Sequence, residues 1–174
     1  MSSPRDIMLG AGVFSFGEAA TTSSLTDIAV TRGGGNFNIT RAYRNMVADG
    51  DRGPVKGRIE IDEEITILTV RALEMLPANI NDFYPAMNSS AGAAATIITS
   101  TMEIADGDYK KVRFTGKTKG GNAIMITVDN AINLDPLNWD LLDKEEVVPE
   151  LKFTATSLEA TTSVMSWDIE YATT

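Results

Sequence analysis

The chain has 174 residues, 43% of them hydrophobic and 22% charged, a composition that predicts one globular domain, 1–174, with a substantial core. It contains neither cysteine nor histidine, which excludes disulfides, Cys/His zinc centres and the Ser-His-Asp and Cys-His nucleophilic systems within the chain. A net charge of −9 disfavours sequence-independent binding of nucleic acid, because that affinity comes from lysine and arginine displacing counterions.

Residues 1–20 lack an apolar core behind a basic segment, and no apolar run approaches the ~20 residues that cross a bilayer. The expectation is a soluble protein made and kept in the cytoplasm, at least until assembled into something, with no membrane partner. Ile7, Met8, Leu9, Val13, Phe14 and Phe16, interspersed with glycines, predict a first strand over 7–16, followed by a small polar loop at 19–24.

Gly33-Gly34-Gly35-Asn36-Phe37-Asn38-Ile39-Thr40 raises the question of a phosphate cradle. Such a cradle needs glycines at a helix N-terminus, whereas here the continuation has a period near two, with Phe37, Ile39, Tyr43 and Val47 alternating with Asn38, Thr40 and Arg44. The glycines therefore read as bend residues feeding a long strand. Asp49-Gly50-Asp51-Arg52-Gly53-Pro54-Val55-Lys56-Gly57 is too long for a two-residue hairpin turn and predicts a protruding loop.

In Arg58–Ile67 the isoleucines 59, 61, 65 and 67 fall on one face of a regular strand, with Glu60, Asp62, Glu64 and Thr66 on the other and Glu63 as the exception. After Ile67 both parities become apolar, at Leu68, Val70, Leu73 and Met75, and a short helix bracketed by prolines is expected in the segment running to Pro77–Pro85. A connector is expected over 88–95. Strands follow at Thr96–Glu103, at Lys111–Thr118 and Ala123–Asp129 around the turn Lys119-Gly120-Gly121-Asn122, at 151–156, and at 165–171. Seven to nine strands with one short helix predict a mainly β fold, an antiparallel β-sandwich or open barrel.

Gly116-Lys117-Thr118 resembles the end of a P-loop, but Lys111 stands where the motif requires its first glycine. Asp49-Gly50-Asp51 and Asp106-Gly107-Asp108 lack the regularly spaced ligands and final glutamate of a calcium loop. Neither a metal nor any other cofactor is expected. The 24 acidic residues make chance carboxylate pairs common, and neighbours on one strand do not form the opposed pair of a glycosidase, so no enzyme is expected. The basic cluster Lys110, Lys111, Arg113, Lys117 and Lys119 reads either as a solvated strand face or as a contact with an acidic surface on another copy, with Lys110, Lys111 and Arg113 at its centre. The acids of 60–64 should face water.

The block from Thr31 to Val70 resembles the tail tube (major tail) proteins of tailed bacteriophages. It carries a glycine-led strand at Gly34–Ile39, then Asp49-Gly50, then Arg52-Gly53-Pro54-Val55-Lys56-Gly57, then an alternating strand ending in Leu68-Thr69-Val70. The resemblance implies a β-sandwich flanked by a helix, six copies closing into a ring, and rings stacked into a hollow tube in the virion through which DNA passes. It also implies partners among other tail proteins: tape measure, baseplate or tip, and terminator. On that expectation Glu60, Asp62 and Glu64 are candidate lumen-lining residues, and Asp49, Asp51, Arg52, Pro54 and Lys56 a candidate inter-ring loop. The alternatives are a binding module, such as a capsid decoration or carbohydrate-binding sandwich, and a carboxylate-based enzyme. Low aromatic content, 7%, with Trp139 and Trp167 far apart, weakens the binding module.

Overall fold

A computed structural model of the chain describes residues 8–19, 25–28, 31–72, 80–92, 95–138, 147–157 and 166–172. Ten strands run through them: β1 (Met8–Glu18), β2 (Thr26–Ile28), β3 (Thr31–Asn45), β4 (Ile59–Ala72), β5 (Met87–Ala91), β6 (Thr96–Ser100), β7 (Lys110–Thr118), β8 (Ala123–Asn133), β9 (Glu150–Ala155) and β10 (Trp167–Tyr171). A single helical turn, α1 (Ile80–Phe83), follows β4.

The main sheet is antiparallel throughout, in the order β2-β1-β7-β8-β9-β4-β3. The edge of β8 away from β7 is shared, with β10 paired along Ile124–Val128 and β9 along Ala131–Asn133. One face of this sheet carries Phe14, Phe16, Leu68, Val70, Val112, Val128, Leu151 and Phe153, all buried. Phe14 of β1 stacks on Phe153 of β9 with ring centroids 6.4 Å apart, although two strands lie between them in the sheet. The sheet therefore curls on itself, and its inner face becomes the core of an open barrel.

Helix α1 is too short to persist alone. It is held because Phe83 sets its ring edge against Phe16 at 4.8 Å and against Phe153 at 6.4 Å, while Lys110 reaches Asp82 at 3.3 Å. Its one turn plugs the curl, which is the mainly β fold with one short helix that the sequence predicts.

The β7–β8 turn is closed by Thr118 N–H donating to the Asn122 carbonyl at 2.9 Å, in the hairpin expected from Lys119–Asn122. The alternation of Leu151, Phe153 and Ala155 is that of buried residues on β9. β4 continues through Leu68 and Val70 to Ala72, and the short helix expected in the proline-bracketed segment is the single turn Ile80–Phe83. One expectation is corrected. The connector expected over 88–95 contains a strand: Asn88–Ala91 pair with Thr96–Thr99 in a separate two-stranded sheet, closed by Gly92 N–H to the Ala95 carbonyl at 2.9 Å. Residues 20–24, 73–79, 93–94, Trp139 and Met165 lie outside the described residues, and with them most of the expected 19–24 loop and the start of the last strand.

Candidate functional site

β9 accompanies β4 only from Ile67 to Arg71, but the β3–β4 ladder continues from Thr66 out to Ile59. The result is a two-stranded arm that leaves the barrel, with its tip formed by residues 46–58. Asp51 organises that tip by accepting hydrogen bonds from Ala48 N–H at 2.8 Å and from Arg58 Nη1 at 2.7 Å. Met46 N–H donates to the Arg58 carbonyl at 2.9 Å and closes its base. Arg52, Pro54 and Lys56 remain exposed on the tip, as does Asp49, whereas the Asp51 carboxylate is turned inward.

The register of the arm is not regular. Tyr43 pairs with Ile61 and Ala42 with Glu63, so one step on β3 spans two on β4 and Asp62 is the extra residue of a β-bulge. An inserted residue inverts the side-chain parity beyond it. Ile59 and Ile61 consequently share a face with Thr66, Leu68 and Val70, while Ile65 and Ile67 take the opposite face. The expected single line of acids is broken by the same insertion. Glu60 and Asp62 reach Arg44, at 3.1 and 3.8 Å, on the outer face. Glu64 turns to the inner face and meets Arg41 at 2.6 Å.

Glu64 is also held by Trp167, whose indole N–H donates to Oε1 at 2.8 Å while the ring packs edge-on against Phe37 at 5.8 Å. Its side chain is only 16% exposed, and the Trp167 hydrogen bond, followed by that of Arg41, keeps its pKa below the usual carboxylate value. This carboxylate ties β10 to the arm's base.

Beyond that clamp no described residue covers the inner face of the arm. Tyr43 is 64% exposed, Ile61 54% and Ile59 51%, and all three lie on the face that forms the core further along the strands. Two neighbouring β10 side chains, Ile169 and Tyr171, are exposed on the same inner side as Trp167. Sequence periodicity misses this patch because it assigns isoleucines of a clean alternating strand to the core.

The basic cluster is not a free surface. Lys110 is buried and paired with Asp82, Lys111 pairs with Asp129 at 2.7 Å, and Arg113 Nε donates to Thr127 at 3.2 Å. Only Lys117 and Lys119, near the turn, are exposed. Lys110 thus ties β7 to the helix, while Lys111 and Arg113 tie it to β8.

Gly116-Lys117-Thr118 is the end of β7, paired in a ladder rather than looped around a phosphate. In Asp106-Gly107-Asp108 the second carboxylate accepts hydrogen bonds from the Ala105 and Ala86 N–H groups, at 2.9 and 3.3 Å. On β10 Asp168 has a raised pKa, first from burial and then from Glu170 and Asp129.

The glycines at the head of β3 bound a groove. Gly34, Gly35, Asn36 and Asn38 border an open recess of about 480 Å³ on the outer face of β4 and β9. The sequence matches no protein-family model and no curated protein.

Proposed function

We propose that the chain is a structural subunit that assembles with copies of itself, closing rings that stack into a hollow tube of the phage tail type, in a virion. The observation that carries this reading is the arm: a two-stranded extension with Tyr43, Ile59 and Ile61 open to solvent. An isolated two-stranded ribbon is marginal in water, and a contiguous exposed apolar face marks an interaction surface. The outer edge of the fifteen-residue strand β3 ends the sheet order and offers unpaired backbone groups to a further strand.

The block that resembles tail tube proteins, 31–70, is β3, the tip and most of β4. A copy that buries the arm of its neighbour while offering its own arm onward makes a head-to-tail contact, which closes rings or propagates filaments. Exposed Glu60 and Asp62, within a chain of net charge −9, suit a lumen that repels the phosphate backbone and lets DNA slide. Glu64, held by Trp167 and Arg41, contributes less exposed charge to such a lining than Glu60 and Asp62 do. The tip residues Arg52, Pro54 and Lys56 are the contact between rings on this reading. Tape-measure, tip or baseplate and terminator proteins are the other partners.

The double substitution Tyr43→Asp, Ile61→Asp tests the reading. Both sites are solvent-exposed, so the variant should fold and melt close to the parent, yet remain monomeric by light scattering where the parent assembles. A variant that assembles as the parent does would remove the arm from the interface.

A further inference from the structure

At the head of β3, Thr31 pairs with Ala72 and Gly35 with Val70, so residues 32–34 stand against Arg71 alone. Gly34 takes a left-handed conformation, φ +76°, which glycine adopts without a Cβ penalty. Gly35 runs so close to β4 that a Cβ would lie 2.6 Å from the Thr69 carbonyl oxygen. The bulged strand leaves the outer face of its neighbours uncovered, and the groove opens there. Asn36 and Asn38 border it from β3, Thr69 and Arg71 from β4, and Glu150 and Lys152 from β9, with half-buried Ile67 in its floor.

Its charges cancel locally. Arg71 Nε meets Glu150 at 3.1 Å, and Lys152 Nζ meets Asp135 at 2.7 Å and Glu150 at 3.6 Å, giving two cations against two carboxylates. An anion entering the groove would have to displace these carboxylates, so phosphate groups and acidic peptides are poor occupants. The uncharged groups are available. Asn36 and Thr69 make no side-chain hydrogen bond among the described residues, and Asn38 makes only a long one, 3.5 Å, to Thr40.

An amide sets a donor beside an acceptor, a guanidinium presents adjacent donors and a carboxylate adjacent acceptors, so the row as a whole offers both. A pair of adjacent sugar hydroxyls, each both donor and acceptor, has the matching arrangement. The groove crosses three strands, about 10 Å at the usual spacing. Its volume lies within the usual range for small-molecule sites, about 300–1,000 Å³.

We propose that this groove on the outer face of β3, β4 and β9 binds a short stretch of uncharged glycan. The Asn36 and Asn38 amides, the Thr69 hydroxyl and the Arg71–Glu150–Lys152 row take its hydroxyls, and Ile67 meets the apolar face of a ring. No aromatic platform borders the site, so affinity per copy is weak, with Kd on the order of millimolar. Several copies displayed together multiply it through avidity. The proposal does not depend on the assembly reading, since a monomer carries the whole groove.

Saturation-transfer NMR on the full chain, with neutral hexasaccharides of glucose, mannose and N-acetylglucosamine as probes, tests this in any assembly state. At least one probe should saturate with a millimolar Kd, and Asn36→Ala with Thr69→Val, both exposed or half-exposed positions, should weaken it tenfold or more. Lys119→Ala, at the exposed β7–β8 turn, should leave it unchanged. The proposal is overturned if no probe saturates, or if binding survives the double substitution in a chain shown to be folded by its melting curve. It is equally overturned if inorganic phosphate or a neutral Ser/Asn-rich peptide occupies the groove in place of the sugars.

Discussion

Two carboxylates on either side of β10 illustrate how differently single residues use their charge. Glu64 is stabilised in its ionised form by the Trp167 N–H and by Arg41, so its pKa is lowered on folding. It contributes stability above the ordinary carboxylate pKa and loses it as pH falls through the lowered value. Asp168 is the reverse: burial and the neighbouring acids Glu170 and Asp129 raise its pKa, with Thr127 and Arg113 offsetting part of the effect. Its ionisation opposes folding at neutral pH, and that penalty is relieved as pH falls through the raised value. Glu64→Gln should therefore lower Tm at pH 7 and Asp168→Asn should raise it, both differences closing in acid. Thermal melts between pH 3 and pH 7 check both signs at once, and a Glu64→Gln difference that widened in acid would refute the clamp.

At the scale of elements, most strands are legible because apolar residues alternate where one face is core. Leu151, Phe153 and Ala155 are buried as their spacing requires, and Ile124, Ile126 and Val128 likewise. A period-two reading fails wherever one residue is inserted. The only local mark of the bulge is the run Asp62-Glu63-Glu64, which interrupts the alternation but fits an exposed stretch of regular strand equally well, and the faces of Ile59 and Ile61 come out inverted relative to Ile65 and Ile67. Strand β5 escaped for another reason, although its partner β6 was expected: Ser, Ala and Gly carry little strand preference, and pairing partners rather than propensity make Asn88–Ala91 extended. Because the β3–β4 ladder is already in register on both sides of the bulge, deleting Asp62 should straighten the arm without repairing any pairs. Tm should stay within about 4 °C of the parent, the change that roughly 1 kcal/mol produces in a chain of this size. A larger loss would show that the side chains of Ile59 to Ile65 follow one unbroken alternation.

For the whole molecule, composition and pattern were enough for the fold class, but not for the curl that brings Phe14 onto Phe153, which is a contact between distant parts of the chain. Nor were they enough for the exposed arm. The acids expected on one strand face divide between an outer pair, Glu60 and Asp62, and an inward clamp, Glu64, while the basic residues Lys110 and Lys111 are spent inside the subunit. Tyr43, Ile59 and Ile61 on the arm are among the apolar side chains a single copy leaves exposed, and the assembly reading rests on them and on the edge of β3. Negative-stain electron microscopy of the purified full-length chain, across a concentration series followed in parallel by light scattering, tests that reading most directly. Rings or hollow tubes, accumulating as concentration rises, are the expected result, and a chain that stays monomeric throughout, with no ring or tube in any field, would contradict it.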